Sequence, residues 1–184
     1  MTNYRYTKPS LIIGPNEIFR KKAHVVDDVN DEIRAIVDDM LEIMYKEHAV
    51  GLGANMVGIL KAIAVVDLQK DGKKSPYIFI NPNITYKSTE TQSFEEASIC
   101  FPGVSAQITR PSSIEISYLD YEGKETKLEA SGFLASVIQH EVDYLEGKTF
   151  FDHLSKMKRD ILIKRSEKFL KSDRHHIHTE HCRH

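Results

Sequence analysis

The chain has 184 residues, 41% hydrophobic and 28% charged, a size and composition that suit one compact domain. Its net charge of −2 gives no general attraction to nucleic acid or anionic membrane, and apolar runs such as Ala62 to Leu68 fall far short of the roughly 20 residues that cross a bilayer. Two cysteines, Cys100 and Cys182, exclude a disulfide framework, and MTNYRYTKPS lacks a basic-then-apolar leader, so the expected location is the cytoplasm.

In chain order, Gly14-Pro15 marks a first turn. Ile33, Ile36, Val37, Met40, Leu41 and Met44 then recur at helical spacing, which predicts a helix over about Asn30–Glu47 capped by Asn30 or Asp31. GLGANMVGI follows as a glycine-rich connection with no helical stripe. KAIAVVDLQ, PYIFINPNITY and SSIEISYLDYEG are rich in Ile, Val and Tyr and read as strands. Asn81-Pro82 implies that the middle strand bends or lies at an edge. Gly123 centres a plausible hairpin. SGFLASVIQHEVDYLEG carries two helical stripes, Phe133, Val137, His140, Tyr144 and Leu134, Ile138, Glu141, Leu145, between a capping Ser131 and a terminating Gly147. A last helix follows, with Ile161, Leu162, Arg165 and Phe169 along one side. Helix, strands, then helices without βαβ alternation predict an α+β fold. The expected organisation is one domain over 1–172 and a flexible His-rich tail over 173–184.

QHEVDYLEG differs by one residue from a metal-binding helix. H-E-x-x-H sets two imidazoles on one face, where both reach one metal, and its Glu moves the proton of the metal-bound water. Here His140 and Glu141 are present, and Tyr144 stands where the second His would be. Alone, H-E-x-x-Y is a weak signal, because adjacent His and Glu on a buried helix face are more often structural.

Two earlier stretches add to it. VGLGANMVGI (Val50 to Ile59), EEASICFPG (Glu95 to Gly103) and QHEVDYLEG, in this order, resemble the three motifs of the peptide deformylases, and the resemblance covers nearly the whole chain. It implies a deformylase-like fold, mostly antiparallel sheets around a central metal-motif helix with a C-terminal helix. It also implies a bacterial-type enzyme of protein N-terminal processing, which removes formyl from the N-terminal formyl-Met of nascent polypeptides with a divalent metal, usually iron. Carried over by residue, the resemblance makes Glu141 the general acid and base, His140 a retained metal ligand, and Ser98 and Tyr144 the substituted positions of the Cys and second His ligands. Met56 occupies the position of the oxyanion Gln, Ile99 supplies the assisting backbone amide, and Gly51 and Leu52 belong to the substrate-binding segment. Gly53 replaces an Ala, and Asn55 stands where members often have Pro.

The substitutions matter chemically. A thiol ionises readily beside a metal, whereas the neutral Ser98 hydroxyl is a weak ligand. Tyr144 ligates well only as phenolate, and forming that at pH 7 costs roughly 4 kcal/mol. Met56 cannot donate a hydrogen bond to an oxyanion. Cys100 follows Ser98 by two residues, about 6.6 Å along an extended segment, so it substitutes as a ligand only if the segment slips. The expectations are therefore a degenerate metal site with no cofactor in the cleft, a Tyr144 that fills the vacated space with its hydroxyl bonded to a neighbour, and a His140 bonded to Glu141 or Ser98. The expected partner is a peptide or a nascent-chain N-terminus, with no nucleic acid and no membrane. One alternative is an active hydrolase of formylated or acylated peptides, with iron, zinc or nickel on remodelled ligands. Another is metal handling by the tail, where His175, His176, His178, His181, Cys182 and His184 cluster.

Overall fold

A computed structural model gives the architecture; it describes the backbone of residues 8–180 and the side chains of residues 8–172. The His-rich run therefore falls, in its side chains, outside the described residues.

Helix α1 spans Asp31–Lys46. Asn30 caps it by accepting the Ile33 N–H at 3.1 Å, acidic Asp31 and Glu32 sit at its positive end and Lys46 at its negative end. Its stripe, Ile33, Ile36, Val37, Met40, Ile43 and Met44, is buried. Seven strands follow: β1 (Gly51–Gly53), β2 (Ile63–Val66), β3 (Tyr77–Lys87), β4 (Thr91–Ala97), β5 (Ser105–Pro111), β6 (Ser113–Leu119) and β7 (Glu125–Ser131). β1-β2-β3-β6-β7 form one antiparallel sheet and β4-β5 a separate two-stranded one. Helix α2 (Gly132–Leu145) packs against both sheets, and α3 (Lys156–Glu180) closes the chain.

The α+β class and the central α2 agree with the sequence reading. Three local differences have physical reasons. GLGANMVGI is not an irregular connection, since Gly51–Gly53 pair with β2 and Ala54–Val57 form a 3-10 turn. β4 and β5 were not expected. β4 reads TQSFEEA, and its only fully buried side chain is Glu96, so it lacks the apolar run that announces a strand. β3 bends, the first of the two alternatives read from Asn81-Pro82, and it lies at the centre of the sheet. Asn81 takes a left-handed backbone (φ 52°), which Asn tolerates, and the register shifts between Ile80 and Asn83, which accommodates Pro82. The Asn81 side chain locks this bend by bonding both the N–H and the C=O of Val26 at 2.8 Å. Finally, α3 turns Leu162, Ile163 and Ser166 inward, while Ile161 and Arg165 face solvent. Ser166 Oγ donates to the Pro102 carbonyl at 2.8 Å, tying α3 to the segment after Ser98.

α2 is the element that positions the site. It is buried on most of its circumference, from Ala135 to Glu141 and again at Tyr144 and Leu145, because sheets cover it on two sides. Ser131 is its N-cap residue, but the side chain makes no capping bond; Gly147 (φ 75°) follows its end. Among the described residues, no helix is long and apolar enough to cross a membrane.

Candidate active site

The expected residues converge. α2 carries His140, Glu141 and Tyr144 on its buried side, Ser98 follows β4, and β1 leads into the turn bearing Met56. Met56, Ser98, Ile99, His140, Glu141 and Gly51 line one cavity of about 470 Å³. Its wall is mainly apolar, with Val50, Phe101, Val104 and Val137. Phe133 stands at the mouth, 44% exposed, with its ring edge-to-face against Phe94 at 5.3 Å. Leu52, expected to bind substrate, instead joins the hydrophobic core, because β1 alternates its faces.

Tyr144 and Ser98 bond to each other. Their hydroxyl oxygens lie 2.7 Å apart, and Tyr144 is 0% exposed, packed edge-on against Phe19 at 5.4 Å. The Asn55 amide anchors the α2 backbone here by donating to the Tyr144 carbonyl at 2.5 Å. Burial, reinforced by the neighbouring Cys100, holds the phenol well above its ordinary pKa of 10, so it stays neutral. Cys100 is buried as well, and burial pushes its thiol up. Its backbone N–H donates to Ser98 Oγ at 3.3 Å.

His140 does not bond Glu141 or Ser98, as its sequence position suggested. Its Nδ1 meets Glu96 Oε2 at 2.8 Å. Arg110 grips the same carboxylate with Nε at 2.5 Å and Nη2 at 3.0 Å, and reaches Asp143 with Nη1 at 2.8 Å. Asp143 in turn meets His153 Nε2 at 2.7 Å. Burial opposes charge on Glu96, but the His140 and Arg110 hydrogen bonds outweigh it and keep the carboxylate below its ordinary range. For His140 burial likewise opposes the proton, and Glu96 and Glu141 outweigh it, raising the imidazole. Sequence reasoning missed this network, although Glu96 and Asp143 lie inside the quoted motifs. Arg110 gave no local signal, since it arrives from β5.

Glu141 lies flat on β1. A Cβ on Gly51 would collide with its Oε1, so the glycine is required by the close approach. Burial, with the Glu96 charge adding to it, lifts Glu141 to a pKa of about 7. Among the described residues two buried acceptors here, Glu141 Oε2 and Asn55 Oδ1, have no hydrogen-bond partner by distance and angle, although the nearby Gly53 N–H still favours the Glu141 carboxylate. Both lie near Gly53, 3.7 and 3.1 Å from where a Cβ on that residue would stand. Met56 is turned inward, its sulfur accepting the Gly53 N–H at 3.2 Å.

This donor set does not fit a divalent metal held by thiolate and imidazole. With Nδ1 facing Glu96, His140 has only Nε2 left to offer a metal, and only in its neutral form. The positions of the other two ligands carry neutral hydroxyls already engaged with each other. Among the described residues no three His, Cys, Asp or Glu side chains converge as a metal-binding group.

Comparison with known proteins gives a consistent result. The family model described as Polypeptide deformylase matches residues 10–160. A protein of Rickettsia conorii named "Peptide deformylase-like" is 58% identical over 95% of each chain. The same strain has a "Peptide deformylase 1", 40% identical over 86% of this chain and 94% of its own. Among solved structures, peptide deformylase from Ehrlichia chaffeensis in complex with actinonin superposes with a TM-score of 0.83, at 36% identity, covering 89% of this chain and 98% of that one.

Proposed function

The chain belongs to the peptide deformylase family, and we propose that it uses the family's cleft to bind the N-terminal end of a peptide in the cytoplasm without hydrolysing a formyl group. The observation that carries this reading is the Ser98–Tyr144 hydroxyl pair, 2.7 Å apart around a fully buried phenol. Ionising that phenol to ligate a metal opposes its burial, and separating the pair leaves the buried Tyr144 hydroxyl without a partner, at about 1–3 kcal/mol, while Ser98 keeps only the Cys100 N–H. Met56 adds an independent loss. A donor to a developing oxyanion is worth roughly 100–1000-fold in rate, and a thioether has no proton to give. The greater identity to the Rickettsia conorii "deformylase-like" protein than to that strain's "deformylase 1" fits a member set apart from the ordinary enzyme.

What the retained residues do follows from their bonds. Glu96 fixes the His140 ring, Arg110 fixes Glu96, and Gly51 lets Glu141 lie against the strand that borders the cavity. A metal, where the family holds one, would activate a water; in this chain His140 Nε2 is the retained group suited to ligate it.

A second reading, hydrolysis with remodelled ligands, has its own support. Glu96 orients His140 as a ligand would be oriented, and the Glu141 carboxyl near 7 suits a general acid–base group. Metal content separates the two readings. Full-length protein purified without chelator and its His140→Ala variant are expected to hold equal iron, nickel and zinc, because any metal present sits elsewhere. One equivalent lost with His140 would establish the hydrolase reading instead.

A further inference from the structure

One wall of the cavity is the connection between β4 and β5, where Phe101, Pro102, Gly103 and Val104 line it. The two ends of this stretch are anchored in the core. Phe101 lies edge-on against Phe151 at 4.8 Å and tilted against Phe19 at 5.8 Å, and Val104 is buried. Between them, among the described residues, the hydrogen bond that ties Pro102 and Gly103 to another element comes from α3. Ser166 Oγ donates to the Pro102 carbonyl at 2.8 Å.

Gly103 carries a second contact with the same helix. Its backbone is left-handed (φ 78°), and the Phe169 ring fills the space beside it, so that a Cβ there would stand 2.6 Å from Phe169 Cγ. Glycine is therefore required twice, by its conformation and by the ring. Both contacts belong to one stripe of α3. Leu162 and Ile163 pack on the hydrophobic core, and Ser166 and Phe169 follow at helical spacing, so the face that docks the helix continues onto the cleft wall. Ser166 is fully buried, and its hydroxyl, which in a helix can bond the preceding turn, reaches out to Pro102 instead. Lys164, Arg165 and Lys168, between these positions, are exposed.

We propose that α3 is a strap on the cleft. Ser166 and Phe169 are positioning residues that hold the wall at Pro102 and Gly103, and lifting the helix from them opens the cavity. The inference concerns the wall alone and is independent of what the cavity binds.

Two measurements on the full chain read the wall without any ligand. Amide exchange followed by mass spectrometry reports on residues 101–105. Labelling by 5,5′-dithiobis(2-nitrobenzoate) reports on Cys100, which is 0% exposed in the same connection. Labelling uses a Cys182→Ser background, which leaves Cys100 as the one thiol of the sequence. Ser166→Ala and Phe169→Ala are each expected to speed both processes at least fivefold, because each frees a local opening of the wall. Exchange in β7 is expected to stay within twofold, as is the wall in Ile161→Ala, a change at an exposed position of the same helix. A smaller rise at the wall in either folded variant overturns the inference, since the wall then stands without α3. An equal rise in β7 also overturns it, because the whole fold has then loosened, and so does an equal effect of Ile161→Ala. Should Ser166→Ala fail to fold, Phe169→Ala decides, its ring being half-exposed.

Discussion

The cleft has two halves, and they have fared differently. On one side His140, Glu96, Arg110 and Asp143 form a closed, charged network in which every carboxylate meets a cation or an imidazole. On the other, Ser98 and Tyr144 form a neutral pair, with Met56 and Cys100 packed behind them. The difference teaches that the apparatus orienting a ligand is separable from the ligand set. Glu96 and Arg110 are buried and bind each other, so their removal costs stability whether or not a metal is bound. Hydroxyls that pair and pack are sufficient for the other half to fold.

The largest expected effect comes from breaking the charged half. Arg110→Ala leaves Glu96 and Asp143 without their shared cation, and removing one partner of a buried pair costs about 3–5 kcal/mol. Urea unfolding measures it; a loss below 1 kcal/mol would contradict the contrast between the halves.

Next in size is Glu141. Its folded pKa of about 7 lies above the ordinary 4.5, so the folded state holds the proton more tightly than the unfolded one. The sign follows. Stability referred to this group is greatest below 4.5 and declines as pH rises to 7, after which the loss is complete, about 3 kcal/mol at most. Glu141→Gln cannot titrate, so its stability relative to the unmodified protein should rise between pH 5 and pH 8. A difference that is constant across that range would mean that Glu141 is ionised throughout.

The smallest effect sharpens the neutral half. Tyr144→Phe removes one hydroxyl from a pair and leaves Ser98 Oγ the Cys100 N–H, a loss of about 1 kcal/mol in thermal or urea unfolding. A loss as large as that of Arg110→Ala would show the hydroxyl pair to be as demanding as the buried ions.

Much of this was legible in the sequence, and the remainder was not for identifiable reasons. Helical spacing located α1 and α2, and the motif order located Ser98 opposite Tyr144. β4 was invisible because its inward residue is a glutamate, which no hydrophobic pattern reports. The partner of His140 was misjudged for the same reason: Glu96 lies 44 residues away in sequence and reaches the ring only through the pairing that places β4 beside α2. Arg110 is an ordinary charged residue until β5 folds it inside. The unpartnered oxygens at Glu141 and Asn55 depend on side-chain placement alone. The α3 face was misassigned because a basic helix with scattered apolar residues offers two nearly equal stripes, and the choice is made by tertiary contacts, Leu162 and Ile163 on the core and Ser166 on Pro102.

The central claim is that the Ser98–Tyr144 half stops the family's reaction. The most direct measurement is hydrolysis of formyl-Met-Ala-Ser by full-length protein supplied in turn with iron, nickel and zinc, beside the triple variant Ser98→Cys, Tyr144→His, Met56→Gln. No turnover above background is expected from the unmodified chain, and measurable turnover from the variant. Turnover by the unmodified protein at an ordinary enzyme rate, roughly 1–1000 per second, and abolished by Glu141→Ala, would contradict the account.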